Sequence, residues 1–138
     1  AKAADVAIGI ENVWNRFLLS PLETRRFLDE IGSDYVGMYL DVGNAVYIGY
    51  PEQWIEILGH RIKKLHMSDY RFDQAGIGAF VDLFAGDVDF PAVAKAIAGI
   101  GYDDYITLEM LPNYKQFPEV SLYADKYAMN KIIEMIHL

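Results

Sequence analysis

Short apolar runs alternate along the chain with longer stretches of helical periodicity. Val6 to Ile10 is the first run; it closes on Glu11 and reads as a buried strand. Ser20-Pro21-Leu22-Glu23 then predicts a helix start, with Ser20 as cap, proline at the first helical position and Glu23 three residues after the cap. Leu22, Phe27, Leu28 and Ile31 share one face of that helix, and Gly32 ends it. A second run, Tyr35 to Leu40, closes on Asp41. Pro51 and Glu52 open a helix carrying Trp54, Ile55 and Leu58, closed by Gly59. The third run, Ile62 to Leu65, closes on His66. Asp89 and Pro91 start a helix through Ile97 that stops near Gly99 or Gly101. Tyr105 to Leu108 closes on Glu109, and Pro118 with Glu119 starts a last helix toward Leu138.

Four strand–helix units in succession predict an α/β fold in one domain, residues 1–138. Strands apolar on both faces would form a parallel sheet covered by helices. Ser68 to Asp87 is the one long irregular stretch, rich in Asp and Gly, and a loop of that length points to function.

Composition narrows the classes. Of 138 residues 53% are hydrophobic, enough for a buried core and too many for a disordered chain. Acidic residues outnumber basic ones by 20 to 12, a net charge of -8, which counts against nucleic acid and against a polybasic membrane surface. The absence of cysteine removes disulfides, thiolate catalysis and cysteine metal sites. No apolar run reaches the roughly eighteen residues of a membrane span. Ala-Lys-Ala-Ala-Asp at the N-terminus lacks the layout of a secretory signal and an initiator Met, and reads as a chain entered partway through.

The chemistry lies in a repeated register: each predicted strand ends in a possible metal ligand, Glu11, Asp41, His66 and Glu109. Parallel α/β folds gather their sites at the carboxyl ends of the strands, so adjacent strands would aim all four at one place. Three carboxylates and an imidazole suit Mn²⁺, Mg²⁺, Co²⁺ or Zn²⁺. Taken singly, Asp41 before Val-Gly-Asn also suits a turn, and His66 a hydrogen-bonded core histidine. A carboxylate at the end of a buried strand, as at Glu11 and Glu109, needs a partner. His60 and His137, at or near helix ends, read as surface residues.

The segments Gly9-Ile-Glu-Asn-Val-Trp-Asn-Arg-Phe17, Tyr39-Leu-Asp-Val-Gly-Asn44, Lys64-Leu-His-Met-Ser-Asp69, Gly86-Asp-Val-Asp89 and Leu108-Glu-Met110 occur in this order. Together they resemble the xylose-isomerase-like TIM-barrel superfamily, in the branch with tagatose and psicose 3-epimerases and the sugar-phosphate epimerases. The resemblance covers nearly the whole chain. It implies the second half of a TIM barrel, strands five to eight. The full barrel has eight strands and about 250 residues.

By the resemblance, Glu11, Asp41, His66 and Glu109 are the metal ligands, with Mn²⁺ the usual ion. Glu11 and Glu109 are the two carboxylates that move protons to and from a metal-stabilised enediolate, in a cytoplasmic isomerase or epimerase of sugars or sugar phosphates. It further implies substrate contacts from Trp14, as a pocket wall, and from Arg71, one residue out of register relative to His66. Asn44 stands where some epimerases carry a substrate-touching histidine. Asp69 is expected to orient His66 or a neighbouring backbone.

A half barrel would leave two unpaired edges and an apolar inner face. Two copies could cover them by pairing the fourth strand of each with the first of the other, and a homo-oligomer, a dimer, is the expected state. Other symmetric packings, or a fragment that needs its missing half, stand beside it. The alternative function is an inactive half-barrel acting as a metal-binding or structural module. An abasic-site endonuclease of the same barrel class is opposed by only three histidines and the charge of -8. A doubly wound nucleotide-binding module is excluded by Glu11-Asn12-Val13-Trp14, where a glycine-rich turn should follow the first strand.

Overall fold

The alternation of strand and helix is realised as a four-stranded parallel sheet with its helices on one side. The structure is a computed structural model and describes residues 1–111 and 113–138. Its main elements are β1 (Ile8–Glu11), α1 (Pro21–Ile31), β2 (Val36–Asp41), α2 (Val42–Ile48), α3 (Pro51–Leu58) and β3 (Ile62–Met67), followed by β4 (Asp69–Tyr70), β5 (Phe80–Val81), α4 (Phe90–Gly99), β6 (Ile106–Leu108) and α5 (Glu119–Ile136). The sheet order is β1-β2-β3-β6, every pair parallel. This is the predicted half-barrel arrangement, with β1 and β6 at its edges. No helix among the described residues is long and apolar enough to cross a membrane.

The sheet has two unlike faces, which corrects the expectation of strands apolar on both. Met38, Leu40, Leu65 and Met67 point to the helices and are buried with Trp54, Ile55, Leu58, Phe90 and Ile97. The opposite, inner face carries Gly9, Gly37, Tyr39, His66 and Thr107. Val36-Gly-Met-Tyr-Leu-Asp41 has a strict period of two, and so does Ile106-Thr-Leu-Glu109; that period sends alternate residues to opposite faces. Glycine and tyrosine in the runs hid the alternation. The inner face is therefore small and polar rather than apolar. The edge strand β1 is also less covered than expected, with Ile8 48% exposed.

Tyr39 lies along that inner face. A Cβ built on Gly9 would meet the Tyr39 side chain at 2.9 Å, the Tyr39 ring is 4.0 Å from the His66 ring, and its hydroxyl reaches Thr107 Oγ1 at 3.2 Å. One side chain thus touches β1, β3 and β6.

Local signals explain the helix starts. The Glu23 N–H donates to Ser20 Oγ at 3.2 Å, as the capping box requires, while the Glu23 carboxylate accepts from the Leu19 N–H at 3.0 Å rather than from the cap itself. The buried residues of α1 are Thr24 and Leu28; Leu22, at 56% exposure, and Ile31 face outward, so the apolar face is narrower than predicted. Helix α2 was not predicted. Asp41 ends β2 and caps α2 in the same residue, its carboxylate accepting the Asn44 N–H, so no separate start signal exists.

The stretch expected to be irregular contains the antiparallel pair β4-β5. It is braced by Asp69, whose buried carboxylate accepts the N–H groups of Tyr70, Gly86 and Val88 at 2.9, 2.8 and 3.2 Å. Burial pushes this carboxyl above its ordinary range, and the three backbone bonds oppose the shift. Gly86 is required by this close approach, because a Cβ there would collide with the Asp69 carboxylate and the Tyr70 carbonyl. Gly86→Ala is expected to cost about 1–3 kcal/mol. Chemical denaturation should show it as a lower midpoint with an unchanged slope.

Candidate metal centre

The four strand-end residues converge. Glu11 closes β1, Asp41 closes β2, His66 is the penultimate residue of β3, and Glu109 follows β6. Each offers one ligand atom, and these atoms all lie within 4.8 Å of one another. That is close to twice a metal–oxygen bond of about 2.0–2.6 Å. The donor set of three carboxylates and one imidazole fits a divalent ion. The structure thus brings together all four residues singled out as ligands.

His66 is the hub. Its Nδ1 lies 2.7 Å from a Glu109 carboxylate oxygen and 3.1 Å from one of Glu11. Glu11 and His66 stand on strands separated by β2, so this contact requires the sheet to curl toward its inner face, as a barrel wall does. The Tyr39 ring packs against the imidazole, tilted 45° to it.

Asp41 is held most tightly. It is 1% exposed, and both its carboxylate oxygens accept from Ser68 Oγ, at 3.0 and 2.9 Å. Ser68 Oγ in turn accepts the Gly43 N–H at 2.9 Å. Asn12, also buried, clamps the Asp41 backbone: its Oδ1 accepts the Asp41 N–H and its Nδ2 donates to the Asp41 carbonyl, both at 2.8 Å. Burial raises the Asp41 carboxyl from 3.8 to about 7; the adjacent Glu109 carboxylate adds to the rise, while the Asn44 N–H and Ser68 hydroxyl oppose it.

The sign of the pH effect follows. The folded protein keeps a proton on Asp41 between the ordinary carboxylate range and about pH 7, so this group's stabilisation of the metal-free fold is full below that window and is lost as pH rises through it. A cation must displace the proton. Apparent metal affinity is expected to climb about tenfold per pH unit up to pH 7 and then flatten. Calorimetric metal titrations at pH 6 and pH 8 in buffers of different ionisation enthalpy would read the released proton; equal affinity at both values would contradict the assignment.

Beside the four ligands lies a cleft of about 360 Å³ whose walls include Glu11, Trp14, Asn44, Phe80 and Glu109. Trp14 stacks on Phe80 with centroids 5.5 Å apart and packs against Tyr47 at 4.9 Å. Trp14 and Asn44 thus border the cleft. Arg71 does not: its guanidinium is turned onto the Asp73 carboxylate, with Nε 2.9 Å from Oδ1. Asp69 braces backbone rather than His66. Sequence reasoning missed Asn12, Ser68, Tyr39 and Phe80. Ser68 and Asn12 sit one or two residues from a ligand in the recognised segments, which was the available signal.

Comparison with solved structures places this fold. The IOLI protein, solved with a bound zinc atom, superimposes with a TM-score of 0.83 at 19% identity, over 97% of this chain and 51% of that one. An L-ribulose 3-epimerase gives 0.72 at 21% identity, over 99% and 49%. A D-tagatose 3-epimerase-like protein gives 0.79 at 22%, over 99% and 50%. The chain therefore spans about half the length of the solved structures it matches. No curated protein matches the sequence. The family model described as xylose isomerase-like TIM barrel matches residues 1–128, in agreement with the resemblance carried by the strand-end segments, and the chain belongs to that family.

Proposed function

We propose that residues 1–138 act as one domain in a divalent-metal-dependent isomerase or epimerase of sugars or sugar phosphates. The observation that carries this reading is the convergence of Glu11, Asp41, His66 and Glu109 within 4.8 Å, beside a cleft large enough for part of a small ligand. The epimerase relatives support the substrate class. A bound ion, with Mn²⁺ our first choice, would polarise a carbonyl and its neighbouring hydroxyl and so acidify the C–H between them.

Asp41 anchors the cation side of the site, because Ser68 and Asn12 fix it. Glu11 and Glu109, from opposite edges of the sheet, have the freedom and the position to take a proton from carbon and to return one. Glu109, with a side chain 53% exposed, is the more accessible. Trp14 and Asn44 would contact the sugar. Arg71 would do so only after leaving Asp73.

The second reading, metal binding without turnover, is favoured by the exposure of Glu109, since proton transfer to carbon works best with water excluded. Deuterium wash-in distinguishes the two. Fructose, tagatose or psicose, and their phosphates, incubated in D₂O with Mn²⁺ should gain deuterium beside the carbonyl. Metal bound without exchange into any of them would leave the binding module.

We also propose a homodimer, each copy adding its β1 to the other's β6. Both edges lack partners among the described residues, and Ile8 on one and Leu122 and Tyr123 beside the other are exposed. Native mass spectrometry with and without Mn²⁺ should report two chains and two ions; a monomer with one cooperative unfolding transition would refute the pairing.

A further inference from the structure

The outer torsion of a histidine side chain is broad, and a half-turn about it exchanges Nδ1 for a ring carbon. A ligating imidazole must therefore have its plane set from outside. The usual device is a hydrogen bond from the nitrogen that does not face the ion. His66 lacks it. Its contacts with Glu109 and Glu11, at 2.7 and 3.1 Å, both fall on Nδ1, and among the described residues no hydrogen bond reaches Nε2. What meets the ring instead is Tyr39, with centroids 4.0 Å apart. Tyr39 is itself held on two sides. Gly9 leaves room for it on β1, where a Cβ would stand 2.9 Å from the Tyr39 Cβ and 3.3 Å from its Cδ1. Its hydroxyl donates to Thr107 Oγ1 on β6 at 3.2 Å. Residues two apart along a strand share a face. Gly9, Tyr39 and Thr107 each stand two residues before a ligand, Glu11, Asp41 and Glu109.

We propose that Tyr39 is a positioning residue of the metal centre. Its ring, seated on Gly9 and pinned by Thr107, fixes the plane of the His66 imidazole so that Nδ1 faces Glu11 and Glu109. The inference rests on the metal-dependent reading above and adds the side chain that holds His66 ready before an ion arrives. Aromatic packing suits the task, because a ring face brings no strong donor to compete with a cation for Nδ1. An imidazole already in place also lowers the ordering cost of binding. The hydroxyl acts only by keeping the ring where it is, so its loss should matter less than loss of the ring.

The test is Zn²⁺ binding to the full 138-residue chain. Chelator competition reads the affinity, and long-range ¹H–¹⁵N NMR of the His66 ring reads which nitrogen ligates. The unaltered protein should hold the ion through Nδ1 alone. Tyr39→Leu should weaken binding about 10–100-fold, as loss of an outer partner does, and add a population ligated through Nε2. Tyr39→Phe keeps the ring and should restore ligation through Nδ1, with affinity within about threefold of the unaltered protein. Gly9→Ala leaves His66 and Tyr39 unchanged in kind but displaces the ring, so it too should add the Nε2 population. It carries the test if Tyr39→Leu does not fold. Ligation through Nδ1 alone in Tyr39→Leu, whatever its affinity, would overturn this inference and leave the metal centre intact; the same result in Gly9→Ala decides if Tyr39→Leu is unfolded. An Nε2 population in Tyr39→Phe as large as in Tyr39→Leu would also overturn it. An unaltered protein that takes up no Zn²⁺ would overturn the metal-dependent reading and this inference with it.

Discussion

Glu109→Gln is expected to slow hydrogen exchange at the ketose carbon by two to four orders of magnitude, roughly the contribution of a positioned acid–base group. The substitution preserves the shape of the side chain and one oxygen that can still reach a cation. It removes the basicity needed to accept a proton. Exchange should be measured at saturating metal, because loss of a ligand charge also weakens uptake. Glu11→Gln should produce a loss of similar size, and the double variant should fall little below either single one, since the two carboxylates serve a single proton relay. Retention of the rate within about tenfold in Glu109→Gln would remove Glu109 from the chemistry and leave it as a ligand only.

His66→Ala should have the largest effect on the ion itself. The imidazole is one of four donors and also the group against which Glu11 and Glu109 are placed, at 3.1 and 2.7 Å. Its removal leaves three carboxylates facing one another. Metal affinity is expected to fall by more than the roughly 10–100-fold that follows loss of an outer partner. Inductively coupled plasma analysis after dialysis should find well under one ion per chain. The metal-free variant should also melt at lower temperature at pH 8 than at pH 5, because buried Asp41, raised to about 7, keeps its proton at pH 5 and loses it by pH 8. A variant that still holds one ion per chain would show that the carboxylates suffice.

The strand-end residues were legible in the sequence because parallel strands put function at a known place, and four successive runs each stopped on a donor. The residues that hold them were not. Asn12 meets Asp41 29 positions away, Ser68 meets it across 27, and the Tyr39 hydroxyl meets Thr107 across 68; no local period reports such pairings. Helix α2 was hidden because Asp41 serves as strand end, cap and ligand together. The alternation in β2 was present in the letters, but a run containing glycine and tyrosine was read as uniformly apolar. Arg71 shows the converse failure: a motif position reached the expected loop, and a neighbouring Asp73 captured its charge.

The curl of the sheet has a consequence for assembly. β1, β2 and β3 pair with their neighbours in sequence, whereas β6 joins β3 only after some forty residues, including β4, β5 and α4, have intervened. Glu109 rides on this late arrival and Glu11 on the opposite margin. A cation gripped by both would act as a clasp between the first and last strands. It would contribute nothing until β6 docks and would then resist its departure. Loading should therefore slow unfolding far more than it speeds folding, because an interaction absent from the transition state acts on the unfolding limb alone.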